Sequence, residues 1–164
     1  MTNVDKAKCC GCNACEYICP KDAITMKRDK YGFTYPYINE EKCISCGLCE
    51  KICAFQDHKK RKVISTYAAV NLNKKQKKES SSGGIFAALA ENFIASEGVV
   101  CGAELQIVDN KVNVSHCIID NKADIYRLQG SKYVQSNLKC ILEIENILKS
   151  GKKFLFSGTP CQVA

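Results

Sequence analysis

Cys9-Cys10-Gly11-Cys12-Asn13-Ala14-Cys15-Glu16-Tyr17-Ile18-Cys19 and Cys43-Ile44-Ser45-Cys46-Gly47-Leu48-Cys49-Glu50-Lys51-Ile52-Cys53 are one pattern written twice, C-x2-C-x2-C-x3-C. The two runs use eight of the chain's thirteen cysteines. Three thiols spaced by three residues let a short loop wrap one [4Fe-4S] cube, while the fourth, a helical turn further on, points away to a second cube. The expected ligand sets are therefore crossed: Cys9, Cys12, Cys15 and Cys53 for one cluster, and Cys43, Cys46, Cys49 and Cys19 for the other. Zinc knuckles also pair C-x-x-C arms, but they need two cysteines per arm and have no use for a third and fourth at this spacing. A disulfide framework is not expected either, because nothing resembling a secretory signal precedes the first run and closely spaced thiols in a reduced compartment favour metal.

Working outward from the cysteines, residues 1–57 read as a ferredoxin module of two similar halves, each a cluster-binding loop followed by a short helix. Pro20 follows the first run as in bacterial ferredoxins, whereas Ala54 follows the second. Between the halves, Ala23–Met26 and Phe33–Tyr35 are expected to form a hairpin around Asp29–Gly32. So small a domain has little apolar core, so the clusters are expected to supply much of its folding free energy.

A basic linker, residues 58–62, leads to a region of alternating strand and helix signals over 63–164. Val63–Val70 reads as a strand. Ser80-Ser81-Ser82-Gly83-Gly84 opens a helix with serine hydroxyls as candidate caps, Ile85, Phe86, Leu89 and Phe93 as its apolar face and Gly98 at its end. Val99–Cys101 reads as a strand, and Gln106–Val108 and Val112–Val114 as a hairpin around Asp109-Asn110. Asp124–Leu128 is a short helix candidate. A longer helix, capped by Asn137, is expected through Leu148 to Ser150-Gly151. Phe154-Leu155-Phe156 reads as a buried strand, followed by a turn and the first turn of a helix at Cys161. The expected fold class is α+β: a ferredoxin-like two-cluster module followed by an incomplete α/β domain.

Charge points away from nucleic acid. The formal charge is +7, but eight ligating thiolates and two cluster cores would bring the loaded protein to about +3. The runs His58–Lys62 and Lys74–Lys78 are read as solvated loops, with steering of an acidic partner or anionic cofactor as the alternative. His58 and His116 are read as solvated or structural. No apolar run approaches the roughly 18 residues of a membrane span, and a cytoplasmic location is expected.

Beyond the cysteine runs, three stretches carry a resemblance: Ser82-Gly83-Gly84 at a helix start, Arg127 through Ser136 (RLQGSKYVQS), and Ser157-Gly158-Thr159-Pro160-Cys161-Gln162. With them the chain resembles the beta subunits of coenzyme F420 hydrogenases and dehydrogenases, in the subgroup with an N-terminal two-cluster ferredoxin domain. The resemblance implies a flavoprotein oxidoreductase: the clusters would exchange electrons with FAD, a redox protein would be one partner, and a deazaflavin or another organic molecule would exchange hydride with the flavin. It also implies that much of the flavin and substrate region would follow Ala164, as if the chain were truncated. On physical grounds Ser82, Gly83 and Gly84 could cradle a flavin pyrophosphate at a helix N-terminus, with Ser131 and Lys132 adding a hydroxyl and a positive charge. An ordinary capped helix and an ordinary turn explain the same residues. Cys161 could ligate a further cluster or act near the flavin. Cys101, Cys117 and Cys140 read as isolated apolar residues, and Cys10 as a bystander. No residue is nominated as acid or base. The alternative function is a stand-alone electron carrier with no flavin.

Overall fold

Asp29 nucleates the first ordered hairpin, its Oδ1 accepting from the backbone N–H of Tyr31 at 2.9 Å and of Phe33 at 3.0 Å. Strands β1 (Ile24–Arg28) and β2 (Thr34–Ile38) run antiparallel from it, with Ile24 opposite Ile38 and Arg28 opposite Thr34. The computed structural model describes residues 5–55 and 63–163; the expected basic linker and His58 lie outside them. One-turn helices α1 (Ala14–Tyr17) and α2 (Leu48–Lys51) follow the two cysteine loops and pack on each other. The chain divides at residues 62 and 63, with Pro160–Gln162 belonging to the first unit and Val63–Thr159 forming the second.

In the second unit the helix expected after the glycine pair is α4 (Ile85–Ala95), preceded by the short α3 (Lys74–Lys78). The Lys74–Lys78 run is thus a helix rather than a loop, because the Asn73 side chain accepts from the N–H groups of Lys75 and Gln76 and caps it. Serine capping of α4 does not occur. Gly84, with φ 70°, is its N-cap and no side chain caps it. The buried face of α4 is Ala87 and Ala90 flanked by Phe86, Phe93 and Ile94, while Leu89, expected on that face, is about half exposed.

The strand fragments read around Asp109-Asn110 are parts of two long strands, β3 (Val99–Val108) and β4 (Lys111–Ile119). Asp109 and Asn110 both take positive φ, 51° and 57°, the two-residue turn whose twist matches paired strands. β5 (Phe154–Phe156) lies parallel to β3 on its other side, giving the order β4-β3-β5. Val100 and its partner Ile119 face α4 and α5 (Ile125–Leu128), the latter entered through a 3-10 turn at Lys122–Asp124. A Cβ on Gly102 would sit 3.3 Å from Leu128, so the missing side chain lets α5 approach the sheet. The opposite face carries Cys101 and His116, whose ring stacks on Phe156 at 5.2 Å.

Two further expectations fail. Val63–Val70 forms no strand although it is rich in β-branched and aromatic residues; no neighbouring strand takes it up among the described residues, and Ile64 is 98% exposed. The later helix begins at Ile141, not after Asn137: α6 spans Ile141–Lys149 with Cys140 at its N-cap. Asn137 is occupied by the sheet, its N–H donating to Val114 and its carbonyl accepting from His116. The last helix, α7, is the single turn Pro160–Val163. The arrangement as a whole is mixed α+β.

Candidate metal centre

Each cysteine loop is shaped by left-handed backbone on both sides of its second cysteine: Gly11 (φ 64°) and Asn13 (φ 68°) flank Cys12, and Ser45 (φ 53°) and Gly47 (φ 73°) flank Cys46. L-residues in this region cost about 1–2 kcal/mol. Strain repeated at equivalent positions of both loops makes a concave backbone, in which successive N–H groups can turn toward a negatively charged group. Asn13 and Gly47 then serve as N-caps of α1 and α2. Glu16 fixes the first loop to the hairpin: one carboxylate oxygen accepts from Asn13 Nδ2 at 3.2 Å and the other from the Met26 N–H at 2.9 Å.

The eight predicted thiols divide between two cavities. One of about 210 Å³ is lined by Cys9, Cys12, Cys15 and Cys53, with Gly11, Met26, Pro36 and Phe55. The other, about 140 Å³, is lined by Cys19, Cys43, Cys46 and Cys49, with Pro20, Ile24, Ile38 and Leu48. Each fourth cysteine thus lines the cavity of the opposite loop. Cys19 Sγ already accepts the Ala23 N–H at 3.3 Å, the kind of bond that tunes a metal-bound thiolate. Among the described residues no three His, Cys, Asp or Glu side chains are close enough to hold one metal ion. Thiolates that each bind a different iron of a cube must stand further apart than those around a single ion. Four thiols in each largely apolar cavity fit that donor set.

Burial pushes the Cys15 thiol up to about 12, with the Cys12 and Cys9 thiolates adding to the rise. Cys9 is raised by burial, only partly offset by the Gly11 backbone, and further by Cys12 and Cys53. Thiols packed together hold their protons until a cation takes the charge, so iron uptake here releases protons. Cys10 also lines the first cavity, and its thiol is raised well above its usual range by burial and by Cys161 beside it in the same unit. The C-x2-C-x2-C-x3-C spacing does not use Cys10.

The candidate flavin residues have a different setting. The loops carrying them do meet: Ser81 Oγ accepts the Ser131 N–H at 3.0 Å, and Ser80 Oγ accepts from Gln129 Nε2 at 2.8 Å. Ser82 has φ 57°, and a Cβ on Gly83 would meet the Ala69 carbonyl at 2.6 Å, so the glycine is required by the passing segment. The Gly83 carbonyl accepts the Asn71 N–H at 2.7 Å. The Lys132 ammonium donates to the carbonyls of Gln129 at 2.7 Å and Arg127 at 3.4 Å, and burial lowers its pKa. Its charge is directed at its own loop rather than at an open cradle.

Sequence reading missed two features of the second unit. Cys101 and Cys140, read as isolated, have their sulfurs 3.9 Å apart. Glu104 is buried in β3 with a fork of bonds from Arg127, Nε at 2.7 Å and Nη2 at 3.0 Å. The alternation of β3 could have shown Glu104 on the core side with Val100 and Gly102; nothing local could have paired Cys101 with a residue 39 positions away.

Paired four-cysteine cavities beside two one-turn helices and one hairpin are the arrangement that a two-cluster iron–sulfur module needs. Residues 8–56 match the 4Fe-4S dicluster domain family, which covers both cysteine runs. The domain carries iron–sulfur electron transfer, and such a carrier implies a redox partner. No curated protein matches the chain. Among the described residues no helix is long and apolar enough to cross a membrane.

Proposed function

We propose that the protein holds two [4Fe-4S] clusters with crossed ligation and relays single electrons between a redox protein and an organic cofactor. The observation that carries the reading is the division of the eight motif cysteines into two four-thiol cavities, each drawing one member from the other run. Cys9, Cys12, Cys15 and Cys53 would hold one cluster and Cys43, Cys46, Cys49 and Cys19 the other. When bound, such clusters take up and release one electron at a time. The chain's own residues would set the conditions: the thiolates would hold the irons, the left-handed loops would offer N–H groups to the sulfurs, and Met26, Pro36, Ile24, Ile38 and Leu48, which line the cavities, would limit the access of water. We assign residues 1–57 to this module, 58–62 to a basic linker, and 63–164 to a second domain.

The F420 hydrogenase and dehydrogenase beta-subunit resemblance makes the organic cofactor FAD and its substrate a deazaflavin or similar molecule. The meeting of the Ser80–Gly84 and Gln129–Lys132 loops favours a site there; the inward commitment of Lys132 counts against an ammonium contribution. The experiment has two parts, both on anaerobically prepared chain. Iron and acid-labile sulfide should each approach about eight per chain, whereas one or two zinc ions would remove the cluster reading. FAD released by acid after incubation with the cofactor should be near stoichiometric if the second domain is a flavin site; its absence leaves an electron carrier without flavin.

A further inference from the structure

Outside the cluster loops, two thiols meet on the sheet face opposite α4. Cys101 is in the central strand, hydrogen-bonded on both sides and 0% exposed. Cys140 is half-buried at the N-cap of α6, and their sulfurs are in van der Waals contact at 3.9 Å. A sulfur–sulfur bond is about 2.05 Å, so side-chain rotation at Cys140 would have to close the remainder. Cys117, the other thiol of this unit, pairs with Gly102 and so projects from the face opposite Cys101. It is engaged by Arg127 Nη2 at 3.8 Å.

We propose that Cys101 and Cys140 are a redox-active dithiol that closes to an intramolecular disulfide by exchange with a low-molecular-weight disulfide. The accessible Cys140 is the entry point. The Cys101 thiol hydrogen-bonds to it and lowers its pKa, Cys101 itself being raised, and no side chain occupies the cap acceptor position that its sulfur can fill. The Cys140 thiolate attacks one sulfur of the external disulfide, forming a mixed disulfide and expelling one thiolate. Cys101 then loses its proton and attacks the Cys140 sulfur, forming the internal bond and expelling the second. Two protein thiols are oxidised and one external disulfide is reduced to two thiols, with two electrons transferred.

The test uses the full chain with its iron in place, under anaerobic conditions, exposed to oxidised glutathione, quenched by alkylation and digested. The expected result is a peptide linking Cys101 to Cys140, reversed by dithiothreitol, in protein whose iron content is unchanged. Cys101→Ser should trap glutathione on Cys140, and Cys140→Ser should slow oxidation of Cys101 by about tenfold or more, because the buried thiol loses its entry point. The proposal is overturned if Cys140 accumulates glutathione in the wild-type chain without forming the link, if Cys140 is linked to Cys117 instead, or if Cys101 oxidises as fast in Cys140→Ser as in wild type. The wild-type peptide map decides the matter even if either variant folds poorly.

Discussion

Glu104 owes its charge to Arg127. Burial alone would raise its pKa, but the bidentate guanidinium, first among its partners, holds the carboxyl below its usual range. Replacing Arg127 with Met would leave a buried carboxylate unpaired, and a loss of about 3 kcal/mol is expected, the low end for a broken buried pair because Arg127 is partly exposed. Alkylation of Cys101 as a function of urea, read peptide by peptide, would report unfolding of this unit alone. The same assay tests pH dependence. A carboxyl whose folded pKa lies below its unfolded value of about 4.3 stabilises the fold above that pH, and the contribution is lost as pH falls through the folded value. His116 acts in the same direction from a higher starting point. Burial lowers its pKa, offset only in part by the Nε2–H bond to the Ser157 carbonyl at 3.0 Å, so below about 6.5 the unfolded chain takes up a proton that the folded ring resists. Stability of the second unit should therefore decline in two stages on acidification. Glu104→Gln should be less stable at pH 7 but lose less between pH 5 and 3; an unchanged acid profile would remove Glu104 as a cause. In the cluster loops, Cys46→Ser should lower iron from about eight to about four per chain, whereas Cys10→Ser should leave it unchanged. Loss of iron in Cys10→Ser would reassign the first cavity.

Among the elements, those legible in the sequence were those whose signals are local. The hairpin at Asp29, the Asp109-Asn110 turn and the apolar run of α4 each carry their cause within a few residues. Their limits were less legible: β3 joins the two fragments read at its ends, Val99–Cys101 and Gln106–Val108, and β4 runs on past Val114 to Ile119, because pairing extends strands through residues such as Gly102 and Cys117 that have little strand signal of their own. Elements decided by distant partners were misread. Asn137 looks like a helix cap until Ser115 and its neighbours draw its backbone into a bridge, and Val63–Val70 looks like a strand but has no strand beside it among the described residues. The cluster loops lie at the other extreme, since cysteine spacing is itself a statement of geometry. The β3–β4 turn offers a direct test. Asn110→Val forces a β-branched residue into left-handed backbone and should cost about 1–2 kcal/mol in the Cys101 protection assay, whereas Asn110→Gly should be neutral or stabilising. Equal effects of the two would mean that the turn does not hold the register.

The two units differ in what holds them together. Among the described residues, the first buries only Ala23 and Ile24 as apolar core, while Tyr17 and Ile52 remain 43% and 48% exposed. The second has a contiguous cluster from Ala87 and Ala90 through Val100 and Ile119 to Leu128. Removing iron with a chelator should therefore abolish amide-exchange protection over residues 14–53 and spare the β3–β4 ladder. Retained protection in the hairpin at residues 24–38 would show that the first unit folds without metal.

The segment Val63–Val70 has a consequence for the protein in concentrated solution. Eight uncharged residues without glycine or proline, with β-branched and aromatic side chains facing water, form a ready template for the same segment of another copy. Lysine and arginine at 59–62 and lysine at 74, 75, 77 and 78 flank it, so two copies approaching in register bring like charges together. Their repulsion is screened beyond about 8 Å at 0.15 M salt and about 3 Å at 1 M. Added salt, which helps many proteins stay dissolved, should here drive self-association, visible as a rise in scattering that Ile64→Lys abolishes.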